Sequence, residues 1–240
     1  MHYALLADYP GRTSIERVGI NTDVDTGTVP EDICGTSGVH AGFASSAELV
    51  TVVSSSANDA AAGTGARTVT IYGLDSNWIE QSETITLNGV SLVDSVNSYL
   101  RVFKMEVATV GSGGVNAGAI SIAQKVTTAN IFLVVAAGLN KEMSSQYTIP
   151  ANRRGFLKRM YARVRKNTDS AIDGCIIYRT NNGPIKQIMP FSCNSDMPFN
   201  HEFDGGTVFE PKTDVIIRAT SVSADNTEVV AGYELILVNA

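Results

Sequence analysis

Residues 54–67 read SSSANDAAAGTGAR and combine glycines, hydroxyl side chains and an arginine, which are residue types that hold phosphate groups in nucleotide-binding loops. A phosphate loop also needs a lysine followed by Ser or Thr, and then a helix whose N-terminus faces the phosphates. Here Gly65 is followed by Ala66, Arg67 and the run TVTIYGL (68–74), whose alternating β-branched residues predict a strand. We interpret the stretch as a loop that leads into a strand, and we predict no nucleotide or other cofactor site.

Two sets of side chains are candidates for metal binding. The stretch DVDTG (23–27) carries two carboxylates, but the third ligand position, the later glutamate and the flanking helices of a calcium loop are missing. An Asx turn is the favoured interpretation, and structural calcium shared with another chain is the alternative. The histidines are widely separated and no cysteine pair has zinc-ligand spacing, so no metal site is predicted from His2, His40 and His201.

No catalytic residues are predicted. The nucleophile pattern GxSxG is absent, and Glu80 and Glu83 have an odd spacing that places them on opposite faces of a strand. Both glutamates are interpreted as solvated edge charges, and we expect a protein that is not an enzyme. A polysaccharide-degrading enzyme is an alternative, because the paired carboxylates of a glycosidase leave no local signature.

The densest charge in the chain is basic. Seven of the 18 Lys and Arg residues lie within residues 153–166, namely Arg153, Arg154, Lys158, Arg159, Arg163, Arg165 and Lys166. Strand alternation predicts a core face formed by Phe156, Met160, Ala162 and Val164. The same alternation predicts an outer face formed by Arg159, Arg163 and Arg165 with Leu157 and Tyr161.

Three roles are considered for this basic strand. It is a solvated face protected by charge against edge pairing, a docking surface for an acidic protein partner or a neighbouring subunit, or a nucleic-acid surface. Nucleic acid is disfavoured because Tyr161 is the one aromatic residue placed for base stacking on this face. The N-terminal stretch adds acidic candidates for partner contacts: Asp23, Asp25, Glu31 and Asp32.

The charge distribution predicts two modules. Residues 1–140 carry 6 Lys and Arg against 13 Asp and Glu, a net charge of −7, whereas residues 141–240 carry 12 against 11, a net charge of +1. An acidic chain also disfavours general nucleic-acid binding, which depends on neutralising phosphates.

Nothing in the sequence predicts export or membrane insertion. The three cysteines are odd in number and predict buried thiols, and the N-terminus lacks the pattern of a signal peptide. The apolar run at residues 131–139 is shorter than the roughly 20 residues of a membrane helix. We expect a chain that is made in a reducing cytoplasm.

Short runs rich in Val, Ile, Thr and Tyr recur between Gly, Asn, Asp and Ser turns, which is typical of antiparallel β structure. The predicted fold is all-β, with two antiparallel modules of the β-sandwich or jelly-roll type at residues 46–140 and 141–240. Residues 1–45 lack clear periodicity and are predicted to form an extended arm, and deletion of residues 1–40 is expected to leave a folded protein. Asn88 and Gly89 predict a hairpin turn, and a phase shift within residues 98–110 predicts a β-bulge.

Several of these segments resemble a family of tailed-bacteriophage structural proteins, the head decoration or cement proteins, especially those of cyanobacterial and marine hosts. They are GINTDVDTGTVPEDI, AAAGTGARTVTIYGLD, SETITLNG, NSYLRVFKMEVATVGSGGVNAG, YTIPANRRGFLKRMYARVRKN, FEPKTDVIIRA and EVVAGYELILV. The resemblance covers most of the chain. It implies a homotrimer of β-sandwich or jelly-roll subunits on the capsid exterior, bound to the major capsid protein. A head fibre or a tail protein that binds a receptor or glycan is the alternative.

Overall fold

The structure is a computed structural model that describes residues 11–36, 38–40, 43–165, 170–203 and 207–240. Every regular element in these ranges is a β-strand, so the all-β prediction is confirmed. In chain order the strands are β1 (Thr13–Val24), β2 (Glu31–Asp32), β3 (Glu48–Ser54), β4 (Ala66–Leu74), β5 (Glu80–Thr86), β6 (Val93–Tyr99), β7 (Arg101–Val110), β8 (Ile120–Gln124), β9 (Ile131–Val135), β10 (Tyr147–Thr148), β11 (Arg153–Val164), β12 (Ala171–Thr180), β13 (Lys186–Asn194), β14 (Phe199–Glu202), β15 (Val208–Phe209), β16 (Thr213–Val222) and β17 (Thr227–Asn239).

The chain divides into two compact units. Unit 1 combines the N-terminal segment up to Val39 with Ser144–Ala240, and unit 2 is the continuous segment His40–Met143. Unit 1 contains sheet A, with strand order β1-β17-β11-β14 and β15 also on β11, and sheet B, with order β10-β16-β12-β13 and β2 also on β16. Unit 2 contains sheet C, with order β6-β3-β8-β9, and sheet D, with order β5-β4-β7. All of these strand pairs are antiparallel.

The two sheets of unit 1 bury apolar side chains against each other. Leu157 and Leu235 of sheet A and Ile217 of sheet B are fully buried. Tyr233 of β17 is also buried, and its hydroxyl donates to the carbonyl of Val215 on β16 at 3.4 Å. Sheets A and B therefore form a β-sandwich of the predicted type.

The expectation of an extended N-terminal arm is wrong for residues 13–24. They form β1, which pairs with the C-terminal strand β17 from Thr13 opposite Leu237 to Val24 opposite Thr227. The strand lacks a readable apolar period because three of its four buried positions are Arg17, Gly19 and Asn21, and only Val24 at its end is a large apolar residue. A Cβ atom on Gly19 would lie 1.9 Å from the Ile33 carbonyl oxygen, so only glycine fits this position.

The core of unit 2 takes side chains from both of its sheets. Val52 and Ile122 of sheet C and Ile71 and Met105 of sheet D belong to one buried cluster, so unit 2 is also a sandwich. The predicted bulge is confirmed, because the β4–β7 register shifts where Tyr72 pairs with Lys104 and Gly73 with Val102.

The hairpin predicted at Asn88 and Gly89 is wrong, because β5 pairs with β4 and β6 pairs with β3. Gly89 has a φ of 59° and starts a turn in which the Ser91 N–H donates to the Asn88 carbonyl at 3.1 Å. The Gly89 N–H donates in turn to the Asp59 carbonyl at 2.8 Å. The dipeptide therefore lies in the connection between β5 of sheet D and β6 of sheet C, and it does not join two paired strands of one sheet.

Strand β11 follows the predicted alternation with one shift of phase. Leu157, expected outside, is fully buried and Phe156, expected in the core, is half-buried. The cause is a bulge at Lys158, since Leu157 pairs with Leu235 while Arg159 pairs with Glu234. Beyond the bulge, Met160, Ala162 and Val164 are buried, and the outer face is formed by Arg159, Tyr161, Arg163 and Arg165.

Candidate interaction surface

The described residues contain no group of three or more His, Cys, Asp or Glu side chains that could hold a metal ion. They also contain no helix long and apolar enough to cross a membrane. The cysteines Cys34, Cys175 and Cys193 are free and buried. Burial raises the pKa of the Cys34 and Cys193 thiols to about 11, so neither is a reactive thiolate at neutral pH.

The glycine-rich loop at residues 54–67 is organised by a buried carboxylate. One oxygen of Asp59 accepts the Ala66 and Ala117 N–H groups at 2.7 and 2.8 Å. The other accepts the Ser54 hydroxyl at 2.6 Å and the Gly118 N–H at 2.8 Å. Burial alone would raise the pKa of Asp59. The four hydrogen bonds stabilise the charged carboxylate and have the larger combined effect, so the pKa lies below its ordinary value.

This arrangement explains the composition of the loop. A Cβ atom on Gly65 would lie 2.1 Å from an Asp59 carboxylate oxygen, so the carboxylate occupies the space beside this glycine. Arg67 donates from Nε to the Gly63 carbonyl at 3.1 Å, which turns the guanidinium towards the backbone of its own loop. The backbone donors near the glycines therefore bind an internal carboxylate, in agreement with the strand-entry interpretation.

Two of the four acidic candidates are not available to a partner. Glu31 and Asp32 are buried, and the Asp32 carboxylate accepts Arg218 Nε at 2.6 Å and Nη2 at 3.0 Å. Glu31 accepts Asn21 Nδ2 at 3.0 Å and also bonds the Thr28 hydroxyl. The prediction that these two side chains contact a partner is wrong, because both hold β2 and the turn before it within unit 1.

The other two acidic candidates lie nearer the surface. Asp23 is exposed, whereas Asp25 is half-buried and accepts the Asn226 N–H at 2.6 Å. The Asp225 carboxylate accepts the Thr26 N–H at 2.8 Å, so Asp25 and Asp225 cap each other's turns. This pairing agrees with the turn interpretation of DVDTG.

Most cations of β11 are paired within unit 1. Arg154 forms an ion pair with Glu210 at 3.0 Å, and Lys158 forms one with Glu234 at 3.0 Å. Arg165, just after the strand, forms an ion pair with Glu228 at 2.7 Å. At the start of the strand Arg153 donates to Asn239 Oδ1 at 2.8 Å. Lys166 lies outside the described residues.

The centre of this outer face differs from its ends. Arg159 donates to Asn200 Oδ1 at 3.1 Å and lies 5.4 Å from the Tyr161 ring centroid. Arg163 is exposed, and its guanidinium has no ion pair or hydrogen bond among the described residues. Exposed guanidinium groups of this kind bind carboxylates in bidentate geometry, so Arg163 is the cation best placed for a partner.

Arg163 borders a groove of about 470 Å³ on the outer face of sheet A. Its floor is apolar and is formed by Val18 and Ile20 of β1, Val230 of β17 and the ring of Tyr161. These side chains are half-buried. The groove therefore combines an aliphatic surface with guanidinium groups along one side. We refer to it below as the arginine groove, defined by Val18, Ile20, Tyr161, Arg163 and Val230.

Two neighbours fix the position of Tyr161. A Cβ atom on Gly232 would lie 2.6 Å from the Tyr161 hydroxyl, so the phenol ring lies across a strand position that has no side chain. The hydroxyl donates to Glu16 Oε1 at 3.2 Å. Burial and the nearby Glu16 carboxylate raise the pKa of Tyr161 to about 12, so the floor of the groove carries no charge at neutral pH.

A second exposed surface was missed by sequence reasoning. Residues 90–96 of unit 2 expose three aliphatic side chains: Val90 is 63% exposed, Leu92 57% and Val96 87%. The β3–β6 register jumps from Leu49 opposite Ser98 to Thr51 opposite Asp94, so the chain bulges between these pairs. We call residues 90–96 the aliphatic segment.

The bulge in the aliphatic segment is held by Glu83. Its two carboxylate oxygens accept the N–H groups of Val96 and Asn97 at 2.7 and 2.9 Å. Glu83 is half-buried, so the interpretation of this glutamate as a solvated edge charge is wrong, whereas Glu80 is exposed. The carboxylate satisfies backbone donors that the β6 ladder leaves unpaired.

No protein-family model and no curated protein matches this sequence. Among solved structures the chain is similar to three of infectious bursal disease virus. They are the structure of the Gt strain (11% identity, TM-score 0.25, 96% of this chain and 73% of that chain), the T13 viral particle (9%, 0.23, 97% and 70%) and the VP2 subviral particle (10%, 0.23, 96% and 72%). TM-scores this low do not establish a common fold.

Proposed function

We propose that this protein is a non-enzymatic virion component that decorates and reinforces a phage head as a homotrimer bound to the major capsid protein. The observation that carries the proposal is the basic outer face of sheet A, which extends from the exposed Arg154 beyond the residues that line the arginine groove. A shallow open face of this kind suits a protein partner better than a small substrate, which is usually enclosed. The sequence resemblance to head decoration proteins supports the same role.

The two sandwiches suit a reinforcing protein. Each unit buries a continuous apolar core and presents long sheet faces, and rigid faces contribute more binding energy than flexible ones because less entropy is lost on contact. A trimer would place three such faces against the capsid at once, which raises the apparent affinity through effective concentration. The acidic and basic regions of the chain give such contacts orientation and specificity.

The proposal is tested by adding the purified protein to heads that lack it and separating bound from free protein by sedimentation. We expect saturable binding that withstands washing and raises the temperature at which the heads release DNA. Reversing the charge of Arg154, which lies on β11 outside the arginine groove, should weaken binding most strongly at low salt, because exposed charges are screened over about 10 Å at 0.1 M salt. Reversal of Arg12, which is exposed outside β11, is the matched control.

Absence of saturable binding to the heads would contradict the proposed function. Equal binding by the Arg154 variant and the wild type at every salt concentration would remove the basic face from the head contact. That result would restrict this face to subunit contacts or to a solvated surface.

A further inference from the structure

We infer that the arginine groove of one subunit binds the aliphatic segment of a second copy of this chain. The occupant is identified by two complementary surfaces that this chain carries in separate units. The inference rests on the proposed function only for the number of subunits. The contact itself is argued from exposed side chains and charge.

The two surfaces have opposite charge. Between residues 79 and 96 the chain carries Glu80, Glu83 and Asp94 and no basic residue. Residues 153–165 carry six basic residues and no acidic one, and although Arg154, Lys158 and Arg165 are paired with glutamates of unit 1, Arg163 has no acidic partner among the described residues. Apposed surfaces of opposite charge favour encounter and fix orientation, whereas two copies of either surface repel each other.

The two surfaces also match in their apolar parts. Val90, Leu92 and Val96 project aliphatic side chains into solvent, and the groove floor offers Val18, Ile20 and Val230 beside a phenol ring. Clustered exposed aliphatic side chains in a globular protein mark contact sites, since removing apolar surface from water is favourable. A segment held in a fixed bulge by Glu83 pays little ordering entropy on binding.

Asp94 supplies the polar part of the contact. It lies within the aliphatic segment, and its exposed carboxylate is paired with Lys125 at 2.7 Å. Arg163 presents a guanidinium without a partner among the described residues. A carboxylate can accept a bidentate guanidinium while it also accepts an ammonium group, so Asp94 has acceptor capacity left for Arg163.

A contact between two different surfaces has consequences for assembly. Each subunit offers one groove and one aliphatic segment, so the contact runs head to tail. Head-to-tail contacts form a closed ring when the rotation between subunits closes. A trimer would leave neither surface exposed.

The test uses four variants of the full chain and measures molar mass by sedimentation velocity over a range of concentrations. Arg163→Glu places a carboxylate opposite the acidic segment, and Val96→Lys places a cation opposite the arginine groove. Arg154→Glu on the same strand and Leu139→Lys, which replaces a leucine that is 53% exposed elsewhere in unit 2, are the matched controls. We expect the first two variants to dissociate at least about 30-fold more readily than the wild type.

A mixing experiment separates loss of contact from loss of folding. The Arg163→Glu subunit keeps an intact aliphatic segment and the Val96→Lys subunit keeps an intact groove. An equimolar mixture should therefore associate although each variant alone is monomeric. The inference is overturned if the wild type is monomeric, if both variants keep the wild-type mass, or if the mixture stays monomeric. Head binding is not a readout, so failure of the proposed function would be recognised separately.

Discussion

The two units bury a carboxylate in different ways, and the difference follows from how each unit is assembled. Unit 2 is one continuous segment, and Asp59 within it is satisfied by a hydroxyl and three backbone N–H groups. Unit 1 joins two segments far apart in sequence, and Asp32 is satisfied by the guanidinium of Arg218, 186 residues away. One carboxylate organises loops, whereas the other joins distant parts of the chain.

The comparison shows which polar groups remain for partners. Asp59 and Asp32 both form their hydrogen bonds within the chain. The glycine-rich loop and the acidic stretch, which resemble ligand-binding motifs in the sequence, therefore have structural roles. The groups that remain exposed for a partner are the Arg163 side chain in unit 1 and the aliphatic segment in unit 2. Polar residues indicate function only after their internal partners have been counted.

The largest expected effect tests whether unit 1 depends on its distant segment. Deleting residues 11–24 removes β1 and leaves the β17 edge and its buried apolar side chains exposed. We expect circular dichroism to show loss of the β signal of unit 1. Trp78, the single tryptophan of the chain, is buried in unit 2 and should keep its native fluorescence. A deletion variant with the full β signal would contradict the integral role of β1.

The next effect concerns the loop carboxylate of unit 2. Asp59→Ala leaves three backbone N–H groups in a buried site without their acceptor, so we expect a loss of about 5 kcal/mol in the free energy of unfolding. Urea unfolding followed by Trp78 fluorescence measures it. Asp94→Ala, which removes an exposed carboxylate paired with Lys125, is the control and should cost less than about 1 kcal/mol. Equal losses in the two variants would refute the organising role of Asp59.

The buried ion pair of unit 1 gives a somewhat smaller effect. Asp32→Ala leaves the largely buried Arg218 uncompensated and is expected to cost roughly 3–5 kcal/mol. Arg218→Met in the Asp32→Ala background removes the stranded charge, so the double variant should be more stable than the sum of the single losses predicts. A double-mutant cycle in urea measures the coupling. Strict additivity would show that the pair does not act as one unit.

The smallest effect is the pH dependence of Asp59. Its folded pKa is depressed below the ordinary value of 3.8, so its contribution is complete above that pH and is lost as the pH falls through the folded pKa. Asp59→Asn cannot gain this contribution. The stability gap between the wild type and Asp59→Asn should therefore narrow on acidification, measured as urea midpoints of Trp78 fluorescence at neutral and acid pH. A constant gap would show that the carboxylate charge is not used.

Sequence patterns predicted the elements whose buried positions are apolar. The alternation in TVTIYGL identifies β4, and the basic and apolar alternation after Lys158 identifies the outer face of β11. Strand β1 was missed because Arg17, Gly19 and Asn21 occupy its buried positions and depend on partners far along the chain. Propensity and periodicity carry no information about such distant partners.

The candidate surface was only partly predictable for the same reason. The basic run in the sequence identified Arg163 as one of several candidates. The structure separates it from the others, because the neighbouring cations form ion pairs with glutamates of unit 1. Val90, Leu92 and Val96 have an apolar alternation that normally indicates a core strand. Val90 and Leu92 precede β6, and Val96 lies in a bulge whose N–H groups bond Glu83 on another strand.

Cryo-electron microscopy of heads incubated with the wild-type protein tests decoration and subunit contact in one measurement. We predict density for a trimer on the outside of the capsid, with Val96 and Asp94 of each subunit against Arg163 of the next. Heads without external density would contradict the decorating role. Bound subunits whose arginine grooves are open to solvent would contradict the contact between copies.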